Sequence, residues 1–315
     1  MPDVPLAHVV RSGFVESVHH GSVVVLGPDG EVLASAGDPK APIFARSSNK
    51  LAQAAAMLRS GLDLDGELLA LAAASHSGEA FHLAAAQRIL AGAGLTEADL
   101  QNTPDLPHDD TERRAWIAAG RRAVPLAQNC SGKHAAMLAT CVAAGWDTAS
   151  YRDADHPLQA AIADTLTELA GEPVVATGTD GCGAPVMAQS LTGLARSFRA
   201  MATAAATSEA GRVAAAVRAY PEYLGGSRRD VTTLIRAVPG LIAKDGAEAV
   251  FAAALDDGRA VALKIADGGQ RARPVVMAEA LRLAGVASSD VQFLRHAPVL
   301  GHGQPVGAVV ALPLG

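Results

Sequence analysis

Hydrophobic and polar positions change rhythm twice along this chain. Residues 6–37 alternate short apolar runs with turn signals: Val9-Val10, then Gly21-Ser22-Val23-Val24-Val25-Leu26, then Gly27-Pro28-Asp29-Gly30 and Val32-Leu33-Ala34. Such runs, rich in β-branched residues and bounded by glycine and proline, predict a strand and a hairpin. From about 47 to 236, alanine and leucine recur at three- and four-residue spacing, which is the helical period. Past residue 238 or so the strand rhythm returns at 241–243, 249–255 and 260–268, with the turn Asp256-Asp257-Gly258-Arg259 between the last two. A helix over 274–283 and a final strand over 306–312 close the chain. The pattern predicts an α/β (α+β) fold. One sheet is formed from both chain ends, 1–45 and 238–315, around a large central helical region at 46–237, the whole making one catalytic-sized unit.

Chemistry enters where the first strands give way to the first helix, at Arg46-Ser47-Ser48-Asn49-Lys50. A serine here can begin the helix, and a residue three positions on lies on the same face. Ser47 and Lys50 thus have the spacing of a nucleophile and its base, since a serine hydroxyl is weak until a neighbouring group takes its proton. A capped helix with a solvated lysine is the plainer alternative, and Ser48 is an equally good cap. Lysine usage sharpens the picture: of 26 basic residues only Lys40, Lys50, Lys133, Lys244 and Lys264 are lysine. Where charge alone suffices this chain uses arginine, so a retained lysine marks a place that needs an amine able to lose its proton. A plain compositional bias toward arginine is the competing explanation.

Three polar segments interrupt the helical stretch: Ala74-Ser75-His76-Ser77-Gly78-Glu79, Gln128-Asn129-Cys130-Ser131-Gly132-Lys133-His134, and Gly178-Thr179-Asp180-Gly181-Cys182-Gly183. Cys130, Lys133 and Cys182, with His134 or Asp180, make a sulfur and nitrogen donor set of the kind zinc takes. Two buried cysteines are the simpler reading of spacing alone, and Cys141, in an apolar run, reads as core. Three cysteines do not make a disulfide framework. Ser75 is a second hydroxyl and Lys264 a second amine, though spacing does not pair them. Arg46 beside the serine is a natural carboxylate fork.

Composition narrows the function. Half of the residues are hydrophobic but only 3% aromatic, so the core must be built from alanine, leucine and valine. A net charge of −6 with no basic tract argues against a nucleic-acid surface. No window approaches the roughly 20 apolar residues of a membrane span. No basic, then apolar, leader opens the chain, so the expectation is a cytoplasmic protein acting on a small molecule.

Taken together, Val15-Glu16-Ser17 with His20-Gly21, Ala45 to Lys50, Ala74 to Glu79, Asn129 to His134, His156-Pro157-Leu158-Gln159, Thr179 to Cys182, Pro239-Gly240 with Lys244, and Leu263-Lys264-Ile265 resemble the rhizobial-type asparaginases. This family is also called asparaginase II or class 3. The resemblance covers nearly the whole chain, and Asn-Cys-Ser-Gly-Lys-His followed by Thr-Asp-Gly-Cys is its most specific part. It implies a fold like the serine β-lactamases and penicillin-binding proteins, and hydrolysis of L-asparagine to L-aspartate and ammonia. It further implies two Ser-Lys tandems, Ser47 with Lys50 and Ser75 with Lys264. Zinc would be held by Cys130, Lys133 and Cys182, and the substrate surrounded by Arg46, His134, Thr179 and Asp180. A homodimer is the assembly it suggests. Leu51, Asn49 and the segment 101–110 depart from the family pattern. The alternatives are another serine acyl-hydrolase, such as a glutaminase or a penicillin-recognising enzyme, and a non-catalytic, zinc-stabilised amino-acid-binding protein.

Overall fold

The protein, described by a computed structural model over residues 3–314, has two sheets. Its strands are β1 (Val4–Arg11), β2 (Phe14–Leu26), β3 (Val32–Ala36), β4 (Pro42–Phe44), β5 (Ala176–Thr179), β6 (Pro185–Ser190), β7 (Ile242–Asp245), β8 (Val250–Ala254), β9 (Ala260–Ile265), β10 (Pro298–Gly301) and β11 (Gln304–Ala311). The helices are α1 (Lys50–Arg59), α2 (Gly66–Ala72), α3 (Ala80–Gly92), α4 (Asp110–Ala118), α5 (Ser131–Ala144), α6 (Pro157–Ala170), α7 (Leu191–Ala202), α8 (Glu209–Ala219), α9 (Pro221–Leu224), α10 (Asp230–Ala237) and α11 (Arg273–Leu283).

The larger sheet is antiparallel, in the order β10-β11-β1-β2-β9-β8-β7, with β3 also paired to β2. Every one of these strands comes from the two ends of the chain, which places the last strands beside the first. Valine-rich β2 and alanine-rich β8 and β9 form its centre. All five residues of β8 are buried, so both faces of the sheet are covered there. Helices α7 and α11 pack across β2, β8 and β9. Gly21 lies where β2 meets β9: a Cβ there would stand 2.1 Å from the Lys264 carbonyl oxygen, so only glycine permits this strand spacing.

The helical part is organised around α1. Nine of its ten residues, Lys50 to Leu58, are buried, the pattern of a helix packed on all sides. Four of them are alanine, and these small side chains let α5, α6 and α8 approach closely. A small second sheet, β4-β6-β5, draws two of its strands, β5 and β6, from the stretch read from sequence as helical. The Gly178–Cys182 segment is therefore a hairpin, not a loop between helices. Both strands are short, β5 being Ala-Thr-Gly-Thr with no alternating apolar pattern and β6 a fully buried six-residue run, which is why periodicity missed them. No described helix is long and apolar enough to cross a membrane.

β7 is an edge strand, and the turn carrying Ser47 packs on it. Contact is tightest at Gly246, where a Cβ would fall 2.8 Å from the Ala45 carbonyl oxygen and 2.9 Å from Ser48 Oγ. Ser48 Oγ also donates to the Lys244 carbonyl at 3.1 Å. Gly246→Ala must therefore push the serine turn off the strand. A loss of about 1–3 kcal/mol in a urea titration is expected, and a loss under about 0.5 kcal/mol contradicts this packing.

Candidate active site

The turn Arg46–Asn49 is a short 3-10 helix leading directly into α1. Arg46 adopts a left-handed backbone, φ 51°, unusual for a residue with a Cβ. The reversal there turns Ser47 toward a cavity of about 530 Å³, which Ser75, His108, Asn129, Arg229, Asp245, Gly246, Ala247, Glu248, Gln270 and Arg273 also line. Ser47 Oγ has no hydrogen-bond partner among the described residues. Ser75 is almost fully buried, in the segment that follows α2.

Lys50, 1% exposed, reaches from the start of α1 into the space behind both serines. Its Nζ donates to the Ala74 carbonyl at 2.7 Å, to Ser75 Oγ at 3.0 Å and to Cys130 Sγ at 3.0 Å. Its hydroxyl partner is therefore Ser75, 25 residues away, and not the serine one helical turn before it. Lys264 is not brought to Ser75. It is half-buried, donates to the Glu248 and Ile265 carbonyls, and lines a separate cavity of about 300 Å³ with Asp3, Ser22 and Asp38. The second amine beside the serine cavity is Lys244. It is fully buried, with Nζ 2.9 Å from Asp245 Oδ1. Burial pushes it down to about 8, the charge of Lys50 adding to the effect and Asp245 opposing it.

Asp245, the last residue of β7, is buried among cations. Its Oδ1 accepts from Lys244, and its Oδ2 from Arg229 and from Arg273, the latter at 3.0 Å. Burial alone favours the neutral acid, but Lys244, Arg229 and Arg273 outweigh it and hold Asp245 well below the usual carboxylate range. Arg273 bonds to Asp230 at 2.5 Å as well. His108 faces this group, and burial followed by Arg229 lowers it, so the ring is neutral.

The residues expected to hold zinc do come together. Lys133 Nζ donates to Cys182 Sγ at 3.3 Å, and Cys130 and Cys182 form a buried pocket with Ala184. Cys130 lies well below the ordinary thiol range, held there by the Cys182 hydrogen bond first and then by Lys50 and Lys133 against the opposing effect of burial. Burial favours neutral Lys133, but the charges of Cys182 and Cys130 outweigh it and raise it above its ordinary value. His134 is buried, bonds through Nδ1 to the Tyr151 hydroxyl at 2.7 Å, and leaves Nε2 without a partner. Burial, then Lys133, lowers it to about 4. Among the described residues no three His, Cys, Asp or Glu side chains gather to hold a metal. An ion here would thus need the Lys133 amine as well as the two sulfurs. Two sulfurs, an amine and an unpartnered imidazole nitrogen nearby are a donor set that fits zinc.

The residues expected around the substrate lie at the margin of this assembly. Arg46 is engaged by Asp180 Oδ1, at 2.7 Å from Nε and 2.6 Å from Nη2, so its guanidinium is already paired. Burial opposes ionisation of Asp180, but Lys133 and Arg46 outweigh it and keep its carboxyl below the usual range. Thr179 is exposed at the end of β5. Sequence reasoning noted Lys244 among the retained lysines without giving it a role, and missed Asp245, Arg229, Arg273 and His108. A signal existed for the first: Lys244-Asp245-Gly246 has the spacing of the Lys-Thr-Gly strand in penicillin-recognising enzymes.

Comparison with known proteins adds to this geometry. No curated protein matches the sequence. Solved structures that resemble the chain include Mglu in its native form (14% identity, 84% of this chain and 63% of that one, TM-score 0.43) and Mglu in its glutamate form (14%, 89% and 63%, TM-score 0.43). A β-lactamase from Mycobacterium bovis is similar at 15% identity, over 79% of this chain and 88% of that one, with a TM-score of 0.42. The chain spans less than two thirds of the Mglu chains. The model of the L-asparaginase II family matches residues 7–311, nearly the whole sequence, and on that match the chain belongs to the L-asparaginase II family.

Proposed function

We propose that this protein hydrolyses L-asparagine to L-aspartate and ammonia by acyl transfer to a serine in the 530 Å³ cavity. The observation that carries the reading is the buried Lys50 amine, which lies within hydrogen-bond reach of a serine hydroxyl on that cavity wall. Geometry of this kind is what an activated hydroxyl requires.

Ser47 is the attacking group. It is half-buried, opens to the cavity and has no competing hydrogen bond, so an acyl group on it has room. Neutral Lys50 would keep two N–H donors for the Ala74 carbonyl and Cys130, turning its lone pair to Ser75 Oγ. As Ser47 Oγ bonds to the side-chain amide carbon, its proton passes over Ser75 Oγ to Lys50. The oxyanion then needs donors already in place. The backbone N–H groups of Ser47 and Ala247, both residues of the cavity wall, make no hydrogen bond to described residues and are assigned that task. One such donor is worth about 3 kcal/mol. Lys50 returns the proton to the amide nitrogen as the C–N bond breaks, and ammonia leaves. Water attacks the ester carbon, gives a proton to Lys50, and the Ser47 Oγ–C bond breaks with that proton restored to Ser47. Lys264 takes no step.

Cys130, Cys182 and the Lys133 amine would hold a zinc ion behind Lys50. When bound, zinc supplies a fixed positive charge that keeps both thiols deprotonated.

Ser47→Ala and Ser75→Ala are each expected to lower ammonia release from L-asparagine by about 10³-fold or more in folded protein, as for members of one catalytic unit. Mass spectrometry of wild type quenched during turnover should find the acyl group on the Ser47 peptide. A Ser47→Ala variant that retains more than about a tenth of the activity contradicts the assignment.

Lys244 provides a pH test. Its folded-state pKa of about 8 lies below the ordinary 10.5, so between those values the unfolded chain binds more protons. Stability should therefore rise with pH across that window, by up to about 3 kcal/mol for a shift of this size. Unfolding free energies of wild type minus those of Lys244→Met, measured from pH 8 to 10.5, isolate this contribution. A difference that stays flat contradicts the neutral-leaning amine.

A further inference from the structure

One wall of the serine cavity gathers three cations around two carboxylates, and Glu248 is a further carboxylate on the cavity lining. Lys244, Arg229 and Arg273 face the two carboxylates of Asp245 and Asp230, and the neighbouring His108 is neutral. The Asp245 oxygens are already taken by the three cations. Two of the cations nonetheless keep unused donors: Arg229 Nη1 and Arg273 Nε are buried nitrogens with no hydrogen-bond partner. Buried donors are rarely left so in a native structure. Arg229 and Arg273 both line the cavity that Ser47 and Ser75 line. A cavity with hydroxyls on one wall and two guanidinium groups with unused donors on another suits a substrate carrying an amide at one end and a carboxylate at the other.

We propose that Arg229, backed by Arg273, recognises the α-carboxylate of the substrate and makes a free carboxylate a requirement for turnover. The inference rests on the asparagine reading above and adds its specificity-determining residue. Asp245 positions both guanidinium groups from below, while Phe251 supports Arg273, whose guanidinium lies 5.0 Å from the ring centroid. Arg46, the arginine that sequence singles out for this role, is spent on Asp180. Recognition by a half-buried arginine held in place by Asp245 has a sharp consequence. A site built to meet a polar group rejects the analogue that lacks it far more strongly than an apolar pocket rejects a missing methylene.

The test compares L-asparagine with 3-aminopropanamide, the same molecule without its α-carboxylate, by ammonia release. Wild type should favour asparagine in kcat/KM by about 10³-fold or more. In Arg229→Gln that ratio should fall by at least ~10²-fold, and in Arg229→Lys, which keeps a charge beside Asp245 and guards against a folding loss, by less. A general defect lowers both substrates alike and leaves the ratio intact, so an unchanged ratio in Arg229→Gln overturns the inference. A wild-type ratio within about tenfold does so too. Calorimetry with L-aspartate and β-alanine, which differ by the same carboxylate, reads the site without turnover, and Arg229→Gln should erase the preference for L-aspartate. If wild type releases no ammonia but Arg229 still governs that preference, the hydrolase reading falls and the carboxylate site stands. If wild type is active and Arg229 affects neither ratio nor binding, the reverse holds.

Discussion

One buried amine ties this structure together. Lys50 is almost completely enclosed, and an amine in such a place is tolerated only when its polar head has partners. Its three partners come from two separate parts of the chain: the segment after α2, through the Ala74 carbonyl and the Ser75 hydroxyl, and the start of α5, through the sulfur of Cys130. The alanine-rich packing of α1 fixes where Lys50 stands. Lys50 in turn fixes the serine segment against the thiol pocket. Chemistry at the serine cavity and chemistry at the Cys130–Cys182 pair therefore share one proton-carrying group, and a change of charge on either side is felt by the other.

A second enclosed group plays the matching part on the opposite wall. Asp245 ends an edge strand, and without Lys244, Arg229 and Arg273 its charge could not be kept there. The cations in turn could not be crowded together without Asp245 and Asp230 between them. Gly246, immediately after Asp245, lets this strand lie against the Ser47 turn. The two walls of the cavity are thus held at a set distance by backbone contact, and their chemistry is complementary: hydroxyls and amines on one side, guanidinium groups on the other. Such preorganisation is what makes electrostatic stabilisation of a developing charge effective.

Much of the architecture was legible in the residues, and the reasons differ from part to part. Valine runs in β2 and the Ala-Leu spacing of the middle carry distinct periods, so the sheet from both chain ends could be read directly. The strands β5 and β6 could not, since Thr177-Gly178-Thr179 has no alternating apolar pattern and the six residues of β6 are buried throughout, which periodicity does not tell from a helix segment. Ser47 stood out at the boundary between the first strands and the first helix, and Ser75, Cys130, Lys133 and Cys182 because polar segments interrupt an apolar stretch; all five lie in the assembly described. Their partnerships were not legible. Lys50 meets Ser75 through the packing of α1 on α2, a tertiary fact with no trace at three-residue spacing. Lys244 and Lys264 both lie on strands near the chain's end, and only the fold shows that the former borders the serine cavity while the latter faces another. Arg229 and Arg273 carry no local mark, because arginine is this chain's default cation.

On this reading, a cavity with serine hydroxyls, a buried amine and an arginine wall cleaves the side-chain amide of asparagine. Ammonia release from L-asparagine, with L-glutamine in parallel, on purified protein of determined zinc content tests it most directly. The account predicts turnover of asparagine, favoured over glutamine by about 10-fold or more, as one extra methylene in a fitted cavity costs about 1–3 kcal/mol. Folded, zinc-loaded protein that releases no ammonia from asparagine, or that prefers glutamine, contradicts it.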